Sequence, residues 1–425
     1  MKIEINNAHI VDPENHVSKV ASLYIHNRSI AAVGDKPADW TADTSIDAKG
    51  SYLFPGLVDI ATRLREPGYE HKATIASETY AAVSGGITSV ACLPDTKPAI
   101  NSPAEVELIQ QRTSAAGHCR VYVIGALTSH LKGTMLNEMA ALKEAGVVGV
   151  SNVLRPVANN LILRRAMEYA SSQGLTLFYH PMDHSLAENG CAHEGMYATR
   201  MGLAGIPTAA ETAAVGSCLA LIEQTGVRVH FCRLSTQRSL QILERAKFDG
   251  VPISADISAH QLFLSDVDIA GFDGNYHVLP PLRSRTDVAG LRHKLSSEII
   301  ESICSDHQPH ERDAKLAPFA STEPGISALE TLLPLALQLV KEDVASLSDI
   351  ISLLTYKPAR LLNIKAGNLS PGQPADLCIC DPAIEWKLTA ENMHSRGKNT
   401  PFLNRTLKGK VTHTFVDGKL VFESS

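Results

Sequence analysis

Eight short apolar runs, spread over nearly three hundred residues and separated by amphipathic stretches, constrain the fold of this chain more than any other feature. They are LFPGLVDIA (53–61), TSVACLP (88–94), RVYVIGAL (120–127), VVGVSNV (147–153), LTLFYHP (175–181), RVHFCRLS (228–235), PISADIS (252–258) and SICSDH (302–307). Two of the intervening stretches read clearly as helices. In NLILRRAMEYASSQG, Leu161, Leu163, Ala166 and Tyr169 make one apolar face and Gly174 closes the helix; LSTQRSLQILERAKFDG repeats the pattern and ends at Gly250. Eight strand–helix pairs are the count of a (β/α)8 barrel of the TIM type. A doubly wound open sheet carries a glycine-rich phosphate loop after its first strand, and none is present. The first fifty and last sixty residues have a different rhythm, with strand-like alternation in KIEINNAHIV, ASLYIHN, ADLCICD and KVTHTFVDG. The chain is therefore predicted to be α/β: a (β/α)8 barrel over 53–363, with a small β-sandwich lobe formed by residues 1–52 plus 364–425.

Composition narrows the function classes. With 44% hydrophobic and 20% charged residues, the 425-residue chain is neither disordered nor fibrous. Lys and Arg number 39 against 45 Asp and Glu, a formal charge of −6, which argues against nucleic acid as a partner. No apolar run reaches membrane-spanning length, and MKIEINNAHIVD lacks the layout of a signal peptide. A cytoplasmic location without membrane partners is the expectation. The eight cysteines (92, 119, 191, 218, 232, 304, 378 and 380) lack zinc-finger spacing and are read as reduced thiols. Cys378 and Cys380 lie in an alternating strand and are read as small apolar side chains facing one way. The Ala-rich helix over 206–226 is read as packing against the barrel, and the charged run HERDAK (310–315) as a loop beside the strand ends.

In such a barrel the chemistry sits where strands end. The strand ends here read VDIATRLREPGYEHK, CLPDTKP, SNVLRPV, YHPMDHS, HFCRLST and CSDHQPHERDAKLAPF. Together LREPG, SETYAAVSGGITSV, SDHQPH and LPPLRSR (279–285) resemble dihydroorotase of the amidohydrolase superfamily, in an order covering nearly the whole chain. That resemblance implies a binuclear zinc site that acidifies a bridging water, with an aspartate moving the proton. It implies ligands in a His-x-His pair on strand 1, a carboxylate or carboxylated lysine on strand 4, histidines on strands 5 and 6 and an aspartate on strand 8. Those positions fall here on Ala61, Arg63, Val153, His180, Arg233 and Asp306, so two of the six keep a donor. Alanine and valine have no lone pair to offer and arginine does not lose its proton. A divalent ion near 4 Å from each guanidinium would meet a repulsion of about 8 kcal/mol at an effective dielectric of 20. The implied substrate contacts fall on Arg65 and His310, which are kept, and on Asp95 and Leu279, where asparagines are implied. Arg63 and Arg233 are read as pairing with Asp306 and Asp95. An anion held between the two arginines, or one metal on His180 and Asp306 completed by Cys232, Cys304 or Asp183, are the other readings.

REPGY, TIASET and PHERDAKLAPFASTEPGIS further resemble the branch of non-catalytic dihydroorotase-like chains that accompany bacterial aspartate carbamoyltransferase. The expectation is thus a chain that is not an enzyme, a pseudoenzyme of pyrimidine biosynthesis with no catalytic residue, no metal and no cofactor. What the resemblance implies is a scaffold for aspartate carbamoyltransferase trimers, in a dodecamer of six chains of each kind, with homodimer contacts. The alternative is a zinc-dependent dihydroorotase or related cyclic amidase that hydrolyses dihydroorotate to N-carbamoyl-aspartate with a reduced metal site.

Overall fold

The computed structural model describes residues 1–424; Ser425, the last residue of the predicted lobe, lies outside them. Eight parallel strands follow one another around a barrel: β1 (Leu57–Thr62), β2 (Ile87–Cys92), β3 (Arg120–Ala126), β4 (Gly149–Ser151), β5 (Leu177–Tyr179), β6 (Val229–Phe231), β7 (Ile253–Ser258) and β8 (Ile300–Cys304). Each pairs with the next in sequence order. The ring closes just beyond the last strand, where the Arg63 N–H donates to the His307 carbonyl at 3.0 Å and the His307 N–H to the Ala61 carbonyl at 3.0 Å. Asp59 reinforces that closure, accepting from the Ser305 N–H and Oγ at 2.7 Å each. Val58, Ile60, Ala91, Ile124, Phe178 and Cys304 fill the interior, as the inward-facing positions of a barrel this narrow must.

Helices cover the outside: α1 (Ile75–Ser84), α2 (Pro103–Ala116), α3 (Met139–Glu144), α4 (Asn160–Ser172), α5 (Thr208–Thr225), α6 (Gln237–Phe248), α7 (Arg285–His293) and α8 (Leu332–Lys341). Their starts are written in the sequence: Thr74, Asn159, Thr236 and Ser284 each accept a backbone N–H of the first turn. In α4 the buried face is Leu163, Ala166, Met167 and Ala170, whereas Leu161 is 60% exposed. At about 100° per residue, Leu161 lies on the opposite side of the helix from Leu163, Ala166, Met167 and Ala170, so it faces solvent and is not part of the apolar face.

The chain ends pair with each other in one eight-stranded sheet. The strand Tyr52–Pro55 is the seam, parallel to Lys2–Asp12 on one side and antiparallel to Leu377–Lys387 on the other. Ile5, Ile10, Leu23, Ile25, Leu377 and Phe415 pack as the core of this lobe. Cys378 and Cys380 turn the other way and join the main core behind the barrel. All eight cysteines are free and buried.

Candidate functional site

The residues singled out in the sequence meet at the C-terminal mouth. Arg63 follows β1 and is 3% exposed; its Nε donates to Asp95 at 2.6 Å and its Nη1 to Asp306 at 3.3 Å. Arg233, after β6, approaches the same Asp306 oxygen from the other side at 3.8 Å. Its backbone N–H is fixed by Asp256 at 2.7 Å. Gln308 adds a second hydrogen-bond donor to Asp306 at 3.1 Å. Burial pushes the Asp306 carboxyl up, and Arg233 and Arg63 pull against it without reversing the shift. For Asp95 the balance falls the other way: burial is outweighed by Arg63, then Arg65, and the carboxyl is held below its usual range. Burial works against the charge of Arg233 too, yet Asp306 and the other acids around it hold its proton more firmly than usual.

The backbone at this mouth is strained. Arg65, Val153, Arg233 and Asp306 sit at φ +64°, +51°, +55° and +47°, the left-handed region that side-chain-bearing residues avoid. For a β-branched residue such as Val153 this conformation is an outlier, and such outliers gather where a site is over-determined by its surroundings. Here Ser151 Oγ holds the Val153 N–H at 2.9 Å.

His180, after β5, is buried, with Nδ1 3.3 Å from the Cys232 carbonyl. Burial, and next Arg233, hold its imidazole well below its usual range, so it is neutral. Its Nε2 is buried without a partner. Arg65 donates from Nε to the Pro309 carbonyl at 3.0 Å and lies with Nη2 3.1 Å from His310 Nε2. Burial and the neighbouring Arg63 lower the Arg65 guanidinium to about 10. His310 is drawn down to about 2 by burial and by Arg65 and Lys72. Leu279 is not at this centre; it packs with Met182 around Ala187, Ile206 and Ala210.

Sequence reasoning missed several residues of the mouth. Lys72, seven positions past Arg65, lies with Nζ 3.1 Å from His310 Nδ1 and 2.5 Å from Glu323, tying the first loop to the last. Lys315, within the charged run, donates to the carbonyls of Gly274 at 3.0 Å and Glu323 at 2.6 Å, and burial lowers it to about 7. Glu211 of α5, 2% exposed, accepts from the N–H groups of Ser235 and Thr236 at 3.0 Å each and so sets the turn that carries Arg233. The placing of Lys72 beside the motif LREPG was a signal within reach; Glu211 sits in an apolar helix and gave none.

The two-metal centre that the resemblance implies does not fit this donor set. His180 and Asp306 are its only donors, and Asp306 is already held by Arg63. Another group, at the end of β6 and within β7, has metal-ligating atoms within 4.8 Å of one another: His230, Cys232 and Asp256. They answer to each other and to the barrel, His230 spanning Asp256 at 2.9 Å and Ser254 at 2.8 Å. Burial pushes the Cys232 thiol well up, away from the thiolate that a metal needs. No helix among the described residues is long and apolar enough to cross a membrane.

Comparison with known proteins agrees with the motifs. A family model described as dihydro-orotase-like matches residues 50–239. A dihydroorotase-like protein of Pseudomonas aeruginosa is 45% identical over 423 residues, covering 100% of both chains. A dihydroorotase of Syntrophotalea carbinolica is 40% identical over 426 residues, again covering 100% of both. Among solved structures, the L-hydantoinase of Arthrobacter aurescens superimposes with a TM-score of 0.89 at 22% identity, covering 99% of this chain and 96% of that one. The expectation that this chain is not an enzyme is overturned by these findings, since full-length relatives carry the name of an enzyme. The expectation went wrong by equating the loss of one metal arrangement with the loss of any activity.

Proposed function

Because the chain belongs to the dihydroorotase-like family, we propose that it acts in pyrimidine biosynthesis as a cyclic amidase of the dihydroorotate class, assembled with aspartate carbamoyltransferase. The observation that carries the reading is the placing of Arg65, braced on Pro309 and close to His310, beside a buried Asp306 at the closure of the barrel. Arg65 offers a fork for the carboxylate of such a ring. Opening the ring adds water across the amide C–N bond, so one proton must travel from water to the leaving nitrogen. Asp306, its carboxyl raised by burial, is the group at the strand ends suited to carry that proton. Arg63 and Arg233 supply positive field at the positions where cations are implied, and such a field favours charge growing on the ring carbonyl oxygen. A metal held by a member of this family would acidify the attacking water.

The test is dihydroorotate turnover by the purified chain, alone and with zinc, beside Asp306→Ala as the control for contaminating host enzyme. Turnover that disappears in the variant supports the amidase reading. No turnover in either protein, with or without aspartate carbamoyltransferase present, refutes it. The assembly is tested separately by light scattering of the mixed chains. A mass near six copies of each supports it, and two separate species refute it.

A further inference from the structure

A cavity of ≈380 Å³ that shares no lining residue with the mouth opens between α1, the start of α8 and the last strands of the terminal lobe. Tyr80, Trp386, His394 and Phe422 line it, in a chain where Phe, Trp and Tyr make up only 5% of residues. We infer that this cavity binds a small alkylammonium cation, held against the aromatic rings.

The rings stand as walls. Tyr80 and His394 meet at 75° with centroids 5.1 Å apart, and His394 and Phe422 at 88° and 5.6 Å. Tyr80 and Phe422 complete the set at 67° and 6.1 Å. Rings set nearly at right angles form the corner of a cage, and the negative face of each attracts a cation placed against it. Trp386 is half-buried, and its Nε1 is already spent on the Gly409 carbonyl at 3.0 Å. What its indole offers the cavity is therefore π surface rather than a hydrogen bond. Among the described residues, the chain's own cations lie over Trp40, Phe263, Tyr356 and Phe402, and over none of the rings of this cage.

The charges agree with the rings. The lining carries the carboxylates of Glu330, Glu391 and Glu423 against one ammonium, that of Lys410. An anion would meet this excess of negative charge, whereas a cation is drawn by carboxylates and ring faces together. Met393, Pro334 and Val411 add apolar surface, which suits alkyl groups on the nitrogen. One wall is fixed before any ligand arrives. Glu330 accepts from the His394 N–H at 2.7 Å, from His394 Nδ1 at 3.0 Å and from the Ser395 N–H at 3.1 Å. Ser395 Oγ in turn donates to the buried Glu78 at 2.7 Å. A wall held in this way costs a ligand little ordering. The volume, at the small end of the range for ligand pockets, suits one small molecule. The inference requires no turnover and stands apart from the amidase reading.

The test uses the full chain with choline and with 3,3-dimethylbutan-1-ol, the same shape with a quaternary carbon in place of the nitrogen. The chain has two tryptophans, and Trp40→Phe leaves Trp386 as the one indole to report by fluorescence. Choline is expected to change that fluorescence saturably and to bind at least fivefold tighter than the alcohol. Trp386→Leu, read by calorimetry, is expected to remove choline binding. Glu391→Gln with Glu423→Gln, both at exposed positions, tests the charge without touching the rings. That pair is expected to weaken choline at least twofold and leave the alcohol unchanged. Equal binding of choline and the alcohol, no saturable response to choline, or choline binding unchanged in either variant would each overturn the inference.

Discussion

Replacing Arg63 with methionine tests whether a buried cation now organises the barrel's centre. The guanidinium lies 2.6 Å from Asp95 and 3.3 Å from Asp306, which at an effective dielectric of 20 corresponds to about 6 and about 5 kcal/mol of attraction. Most of that is offset by the desolvation of all three groups, and the Asp95 side chain, 26% exposed, keeps part of its hydration. Removing the cation alone strands two carboxylates, and the loss for such a break is about 3–5 kcal/mol. Urea unfolding at pH 7.5 measures it. Arg63→Met in an Asp306→Asn background should cost less by about 2 kcal/mol or more, because one stranded charge is gone. Acid should also narrow the gap. Asp95 is depressed in the folded protein, so its contribution is complete above about 3.8 and is lost as pH falls through the lower folded value. In the variant the stranded carboxylates take up protons at higher pH, so wild type and variant converge between pH 7.5 and 5. A loss below about 1 kcal/mol, or the same loss in both backgrounds, would refute the claim that Arg63 holds this centre together.

Other outcomes follow from the same structure. His260, His277 and His310 are held neutral by burial, at about 3, 4 and 2 against an ordinary 6.5. The unfolded chain therefore takes protons first, so their contribution is complete above about pH 6.5 and falls below it by up to ~1.4 kcal/mol per pH unit for each. Urea midpoints from pH 7.5 to 5 should show that decline, and His310→Gln should lessen it by one proton; an unchanged slope counts against the assignment. Glu211→Ala leaves the Ser235 and Thr236 N–H groups without acceptors and should cost about 2–4 kcal/mol in the same assay; a loss within ~0.5 kcal/mol would show that the turn does not depend on it. Writing donors back with Ala61→His, Arg63→His, Val153→Asp and Arg233→His together should raise zinc, by elemental analysis after dialysis, by at least one ion per chain over the unaltered protein. No gain in the variant would show that more than the donor set has changed.

The barrel was legible because its signal is periodic and long: eight apolar runs with helical stretches between them leave few alternatives. The expectation for Leu161 failed because apolar character does not outweigh spacing: it stands about 200° around the helix from Leu163, on the solvent side. At the mouth, Arg63, Arg233 and Asp306 could be placed because strand ends were recognisable. The pair His230 and Asp256 could not, since the two meet only across β6 and β7, and neither stands in a motif. Glu211 reaches a turn 24 residues away from inside an apolar helix, and the cavity beside Trp386 depends on how the terminal lobe meets α1, which no local pattern encodes. The false step was chemical rather than structural. Missing donors at Ala61 and Val153 exclude one arrangement of two ions; they say nothing about what two buried guanidiniums and a raised carboxyl do in the same place.

The strained backbone bears on how that place is specified. A residue with a side chain in the left-handed region costs roughly 1–2 kcal/mol, and four of the barrel's strand ends carry one. Asn or Gly would relieve Val153, yet valine stands there at φ +51° with its side chain buried. The pose is imposed by contacts that do not involve the side chain at that position. Ser151 holds the Val153 N–H, Asp256 holds the Arg233 N–H, and Asp59 holds the Ser305 N–H just before Asp306. The poses at Val153 and Arg233 are therefore set by Ser151 and Asp256 rather than by the side chains that stand there. That separation is compatible with a donor set unfit for two metals in a closed barrel.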